Sequence, residues 1–373
     1  MKTAFWISSV FVIYTYLGYV LWLWLHARIR PRLVRTGMYA GTASIVMVVR
    51  DEAGRVGAKL QNLLSLEKPG KEVEVIVISD GSSDATVEIL QQFEGRGLIK
   101  AMVHAEPRGK AACISDALAT AKGEIVFFAD VRQQIEPPAL RLLAENFVDP
   151  EVGCVSGELM LGDPKSGEAS RGMGLYWRIE KLVRQLESTS GSTIGATGAV
   201  YAVRRELAIA PPAGTILDDV FIPMHVARQG KRVVFDSRGT AWDVPDLGRE
   251  REFERKVRTL SGNYQLLQLC PWLLTAQNPL RFEFVSHKLI RLLAPFALAV
   301  IFVSSLFLSG PLYRFALLVQ ILFYGSGLLA LARLNPGPLA RVADAAYTFV
   351  VLNMAAAVAF GNFITGRKAV WLR

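Results

Sequence analysis

Acidic residues follow short apolar runs at three places. Arg50-Asp51-Glu52 comes after Ala43–Val49, Asp80-Gly81-Ser82-Ser83-Asp84 after Val73–Ser79, and Asp130-Val131-Arg132-Gln133 after Glu124–Ala129. A carboxylate such as Asp80 can accept hydrogen bonds from a base or a ribose, and Gly81 lets a ligand approach the backbone closely. Asp84 is suited to capping the helix that follows. Each acid taken alone also fits an ordinary turn; it is their common position after successive apolar runs that points to one crevice. No Gly-x-Gly-x-x-Gly and no Walker lysine loop is present, so dinucleotide binding and ATP hydrolysis lack their signatures.

The elements that must carry these residues are legible in the periodicity. The apolar runs named above, with Leu98–Val103, read as strands. Arg55–Leu66, Asp84–Phe93 and Gly109–Ala121 have helical spacing, as in Val56, Leu60, Leu63 and Leu64. This alternation predicts a mostly parallel sheet with helices on both faces, and such sheets bind ligands beyond the carboxyl ends of their strands.

Composition adds a membrane. Of 373 residues, 51% are hydrophobic and 20% charged, with mean hydropathy +0.30, which excludes a disordered chain and disfavours a purely soluble one. Phe5–Leu25 carries no charge and is long enough to span a bilayer core of about 30 Å. A signal peptide is the alternative, but no small-residue cleavage site follows. Arg28, Arg30, Arg32 and Arg35 flank this segment against Lys2 alone, which places the N-terminus outside and the next domain in the cytoplasm. Leu289–Ser309, Leu312–Ala332 and Ala343–Thr365 are further apolar stretches, with Asp344 expected at a helix start. Counting one span plus three would leave Arg367, Lys368 and Arg373 outside, against the charge rule, so one segment is expected to be re-entrant or interfacial. The formal charge of +9 thus reads as an orientation signal and not as nucleic-acid binding. Three scattered cysteines make neither a disulfide framework nor a zinc site.

Three segments resemble the nucleotide-sugar half of family 2 glycosyltransferases, the membrane-bound, cellulose-synthase-like enzymes of GT-A fold. They are Ser44-Ile-Val-Met-Val-Val-Arg-Asp-Glu52, Val75-Ile-Val-Ile-Ser-Asp-Gly-Ser-Ser-Asp84 and Gly109-Lys110-Ala111-Ala112. The resemblance spans roughly residues 40 to 260. It implies that Asp51, Glu52, Asp80, Lys110, Asp130 and Arg132 line the nucleotide-sugar site, with Asp80 on the base, Lys110 on the phosphates and Asp130 on a Mg²⁺ or Mn²⁺ ion. A lysine point charge suits a diphosphate, and hard cations take one or two carboxylates plus phosphate oxygens. The family's Asp-x-Asp is here Asp130-Val131-Arg132; Arg132 either pairs with phosphate or forms a local salt bridge.

The resemblance places acceptor chemistry in the second half. Gly195-Ala-Thr197-Gly198 matches a glycine-rich segment beneath the acceptor, or is a tight turn before a strand. Asp218-Asp219 matches the family's Glu-Asp, so the general base maps to Asp219, a carboxylate that the start of a helix keeps ionised; Asp218 alone is also a plain cap. The family's Gln-x-x-Arg-Trp is here Arg255-Lys-Val-Arg258-Thr259. Arg258 keeps the basic anchor, Arg255 stands in the glutamine position, and Tyr264 or Trp272 would supply the missing aromatic surface for the acceptor. Glu250–Gln268 also reads as an amphipathic helix along the membrane. Trp177 and Glu180 fit core packing and acceptor contact equally.

The implied organisation is an anchor and basic flank (1–38), a GT-A domain (39–248), interface helices (249–287) and a membrane region (288–373). The implied reaction is inverting transfer from a uridine diphosphate sugar to a growing polysaccharide at the cytoplasmic face of the inner membrane. Its partners would be the nucleotide-sugar donor, a glycan or lipid acceptor, membrane lipids and export partners of an envelope polysaccharide. Single addition to a lipid acceptor is the second reading, and a catalytically inactive membrane scaffold the third.

Overall fold

The structure is a computed structural model, and the residues described are 1–162, 175–244, 249–332 and 340–367. The polar break at 333–338 and the basic residues Lys368 and Arg373 lie outside them.

In chain order the elements are α1 (Lys2–Ile13), α2 (Tyr19–Ile29), β1 (Thr42–Val49), α3 (Ala53–Leu64), β2 (Glu72–Asp80), α4 (Thr86–Glu94), β3 (Lys100–His104), α5 (Lys110–Thr120) and β4 (Ile125–Ala129). There follow β5 (Gln134–Ile135), α6 (Ala139–Ala144), β6 (Val152–Leu161), α7 (Leu175–Ser190), β7 (Val200–Arg204), α8 (Asp218–Arg228) and β8 (Arg232–Asp243). The chain continues through α9 (Arg249–Leu269), α10 (Arg281–Phe284), α11 (Ile290–Phe307), α12 (Pro311–Leu331) and α13 (Ala340–Ile364).

Among the described residues the strands form one eight-stranded sheet, ordered β3-β2-β1-β4-β7-β6-β8-β5. β3, β2, β1 and β4 are parallel, as the alternating pattern predicts, while β7 runs antiparallel to both its neighbours. Successive residues of a strand face opposite sides. Ile45 and Met47 therefore enter one core with Val56, Leu60 and Leu63 of α3, whereas Val46 enters the other with Ile114 of α5 and Ile222 of α8. The strands are apolar on both faces because helices cover both.

Four helical stretches are long and apolar enough to cross a membrane: Lys2–Ile29, Arg281–Phe307, Pro311–Leu331 and Val342–Ile364. Two contain a π turn, Tyr14–Gly18 and Val285–Leu289, and the turns meet where the Tyr14 hydroxyl lies 2.8 Å from Ser286 Oγ. Beside them Glu187 of α7 accepts the Tyr19 hydroxyl at 2.8 Å and faces His287 Nδ1 at 2.8 Å. Glu180 lies 3.3 Å from His287 Nε2 and 2.9 Å from the Arg291 guanidinium. A buried polar network thus ties the N-terminal helix and α11 to α7 of the sheet domain.

Contacts also settle the tail. Tyr264 of α9 stacks on Phe363 with centroids 4.9 Å apart, and Phe296 meets Phe360 at 4.9 Å. The C-terminal end of α13 therefore lies beside α9 and the start of α11. Along α12, Tyr313 packs on Phe5, Phe323 on Phe349, and Gly327 lies against Ala346. Asp344 sits beyond the first turn of α13, not at its start.

Candidate active site

The strand ends converge as their order requires. Asp51, just past β1, has φ 51°, a conformation Asp tolerates better than most residues. Its carboxylate accepts the Ser83 backbone N–H at 2.7 Å, which holds its pKa below the usual range, and its own N–H reaches Ser82 Oγ. Glu52 starts α3 and pairs with Arg55. Asp84 accepts N–H groups from Ala53 and Thr86, so it serves the first residues of both α3 and α4.

Asp80 is 2% exposed and accepts the Arg108 and Gly109 N–H groups at 2.6 and 3.0 Å. What it positions directly is the turn before Lys110, the first residue of α5. Gly81 is required here: φ is 63° and an added Cβ would stand 2.5 Å from Pro107 N.

Lys110 Nζ lies 3.0 Å from Asp130 Oδ1 and 3.5 Å from Asp218 Oδ2. Burial works against its charge, but Asp130 and Asp218 outweigh burial, and its pKa lies above the ordinary lysine value. Gly198 closes the floor. A Cβ there would lie 3.3 Å from Asp219 Oδ2 and 3.6 Å from Asp130 Oδ2, so the two carboxylates face each other across it. The glycine-rich segment is pinned under them by Ala196 N–H to the Asp219 carbonyl (2.8 Å) and Thr197 N–H to Ser156 Oγ (3.0 Å).

Asp218 and Asp219 open α8, as expected. Burial raises the pKa of Asp218 while Lys110 pulls it down. Asp219 is pushed up to about 6, first by burial and then by Asp218, with Lys110 and Lys288 opposing. Its loop is fixed by α9. Gln265 accepts the Ile216 N–H at 2.8 Å and donates to the Gly214 carbonyl, while Gly262 leaves room for Leu217. Arg258 is half-buried one turn before Gly262, on the same face.

Five further candidates are placed by their contacts. Arg132 forks onto Asp243 at 2.6 and 2.9 Å, and Gln133 joins at 3.1 Å, so its charge serves a local ion pair. Arg255 also turns to Asp243, at 3.9 Å. Tyr264 is 7% exposed under Phe363, so it packs α9 on α13 and offers no surface to an acceptor. Trp177 donates to the Leu159 carbonyl, and Glu180 belongs to the polar network. Asp243 was missed although it carries the same signal as the others, an acid ending a strand. Lys288 was missed because a cation at the edge of an apolar run reads as a membrane flank.

The donor set fits a hard divalent cation that takes most of its ligands from a diphosphate: Asp130 has one oxygen on Lys110 and the other turned to the crevice. No cluster of three or more metal-ligating side chains exists among the described residues.

A mostly parallel sheet with acids and a lysine at its strand ends defines a GT-A-like transferase domain. The chain overlays a solved mannosyltransferase, PcManGT from Pyrobaculum calidifontis in complex with GDP-Man and Mn²⁺, with TM-score 0.72 and 20% identity, covering 98% of this chain and 100% of that one. Residues 44–209 match the model for glycosyl transferase family 2. Poly-beta-1,6-N-acetyl-D-glucosamine synthase of Staphylococcus epidermidis is 24% identical over 229 residues, which is 60% of this chain and 55% of that protein. The Staphylococcus aureus (strain MSSA476) synthase is 21% identical over 234 residues. The chain thus spans about half the length of these curated relatives.

Proposed function

We propose that the protein is a membrane glycosyltransferase that moves a sugar from a nucleotide donor, with inversion, to an acceptor held at the cytoplasmic face of the inner membrane. The observation that carries this is the convergence of Lys110, Asp130, Asp218 and Asp219 around Gly198 at the strand ends. A polysaccharide product is supported by the curated relatives, and UDP is the expected nucleotide.

Asp219 takes the acceptor's proton as its oxygen attacks the anomeric carbon. Lys110 and Arg258 stabilise charge growing on the leaving diphosphate. A Mg²⁺ or Mn²⁺ ion on Asp130, when bound, would neutralise that diphosphate. Asp80, Asp51 and Glu52 shape the nucleotide end, and Thr197 and Gly198 the floor under the acceptor. Single addition to a lipid acceptor is favoured by one set of contacts: Thr259 stands where processive synthases have tryptophan, Tyr264 is buried, and Trp272 packs against His225 and Arg228.

The test is transfer by purified protein from a panel of nucleotide sugars with Mg²⁺ or Mn²⁺. Asp219→Asn is expected to lower turnover about 10²- to 10⁴-fold. With a hydroxyl acceptor, wild-type turnover falls as pH drops through about 6, where Asp219 takes up a proton. Equal turnover in both proteins removes the base assignment; no turnover in either favours the scaffold.

A further inference from the structure

A polar cavity of about 260 Å³ lies away from the strand-end crevice. Leu23 and Arg32 of the N-terminal segment line it with Glu187 of α7 and Glu283 of α10. The sheet domain closes it with Ala227 of α8 and with Lys231 and Arg232 at the start of β8. Ala227 follows Asp219 on α8 by about 12 Å of helix, so this cavity is separate from the proposed base.

Its depth is set by two of the apolar stretches. Leu23 lies near the end of Lys2–Ile29, between Trp22 and Trp24 and ahead of Arg28, Arg30 and Arg32. Glu283 lies at the start of Arg281–Phe307. Tryptophans followed by arginines mark the boundary between hydrocarbon and water. The cavity therefore sits at headgroup level, where one stretch leaves the bilayer and the next enters it.

The charges around it are unevenly matched. Arg32 is met by Glu151 at 3.0 Å, and Glu187 by the Tyr19 hydroxyl and by His287, each at 2.8 Å. Arg232, 4% exposed, sends Nε to the Gly191 carbonyl at 2.8 Å and Nη2 to the carbonyls of Arg32 and Ser188 at 2.7 and 3.1 Å. Lys231 Nζ meets the Pro150 carbonyl at 2.9 Å. Carbonyls satisfy hydrogen bonds but leave the charge uncompensated. Among the described residues no carboxylate pairs with Lys231 or Arg232, and burial holds the Arg232 pKa below the usual arginine value. On the α10 wall Glu283, half-buried, pairs with no cation among the described residues.

A simple anion would leave Glu283 without a partner, and a simple cation would do the same to Lys231 and Arg232. A zwitterion serves both walls. At about 30 Å³ per water-sized group the cavity holds roughly eight or nine such groups, and a phosphoethanolamine head has eight non-hydrogen atoms. A primary ammonium also donates hydrogen bonds to a carboxylate, which a trimethylammonium cannot do.

We propose that this cavity binds the head of a phosphatidylethanolamine lipid, with its phosphate on Lys231 and Arg232, its ammonium on Glu283 and its chains in the bilayer beside Leu23. The bound lipid joins the end of the first apolar stretch and the start of the second to the sheet domain. The inference rests on those two stretches lying in a membrane and not on the transfer reaction.

Full-length protein in dodecyl maltoside micelles is titrated with dioleoyl phosphatidylethanolamine, phosphatidylcholine or phosphatidylglycerol. Lipid retention in native mass spectrometry is read beside the thermal midpoint. Phosphatidylcholine keeps the phosphate with a quaternary ammonium, and phosphatidylglycerol keeps the phosphate alone. Phosphatidylethanolamine is expected to be retained as one molecule per chain and to raise the midpoint most. Glu283→Gln is expected to weaken it about tenfold, the loss of one charge-assisted hydrogen bond, with phosphatidylglycerol within about twofold. Lys231→Met weakens both lipids about tenfold, and Lys231→Arg restores most of the loss. Glycerophosphoethanolamine, the same head without chains, is expected to give no shift at the same concentration. Equal shifts from the three lipids, a preference for phosphatidylglycerol, or an unchanged preference for phosphatidylethanolamine in Glu283→Gln overturns the inference. A shift from the chainless head equal to that from the lipid makes the ligand a soluble one and overturns the lipid assignment.

Discussion

At the scale of single residues, two glycines separate architecture from chemistry. Gly81 holds a left-handed conformation against the Pro107 backbone, so Gly81→Ala meets both strain and a clash. Gly198 has no left-handed strain, and an added Cβ would press only on Asp219 Oδ2, at 3.3 Å; its absence keeps open the space between Asp130 and Asp219. Gly198→Ala is therefore expected to fold with a thermal midpoint within a few degrees of wild type while losing at least about tenfold in turnover, whereas Gly81→Ala lowers the midpoint itself. Thermal unfolding measured beside nucleotide release checks both, and a Gly198→Ala protein of normal activity would show that the crevice is not used. Which acids end strands was legible, because a strand end is marked by the change from apolar to polar residues. What each acid does there was not. Asp80 and Arg132 carry the charges expected of ligands, yet Asp80 holds the turn before Lys110 and Arg132 answers Asp243, more than a hundred residues away. A partner so distant in sequence leaves no local mark.

At the scale of elements, the parallel half of the sheet followed from alternation, since strands covered on both faces must be apolar throughout. The antiparallel insertion of β7 between β4 and β6 did not, because pairing partners are set by long-range packing and not by local pattern. Helix α7 was similarly half-legible: its amphipathic spacing was plain, but Glu180 and Glu187 gave no hint that they face His287, Arg291 and Tyr19. Glu187 is almost fully buried, and it accepts from groups on two membrane segments. Removing one member of a buried polar cluster leaves the others unsatisfied. Glu187→Ala is expected to cost about 3 kcal/mol and to loosen the anchor from the catalytic domain. A lower unfolding midpoint in detergent, with new protease sensitivity in residues 30–41, would register it; wild-type resistance would mean that apolar packing of Leu23 and Val183 suffices.

At the scale of the whole molecule, the contacts turn an apparent conflict in charge into a definite arrangement. Four apolar helices suggested an outside C-terminus, while the basic residues near that end argued for the inside. The stacking of Tyr264 on Phe363 sets the end of α13 against α9, the helix that carries Arg258, and we propose on that ground that α12 is the segment that does not cross. α12 then runs from a start near Phe5, where Tyr313 packs edge-on, to contacts of Phe323 with Phe349 and of Gly327 with Ala346, without returning to the catalytic face. Single cysteines test it directly, since the native Cys113, Cys154 and Cys270 are buried. Thr365→Cys and Ser82→Cys should react with a membrane-impermeant maleimide from the same side, and Ser309→Cys from the opposite side. Labelling of Thr365→Cys together with Ser309→Cys would instead make α12 a full span and detach the end of α13 from α9.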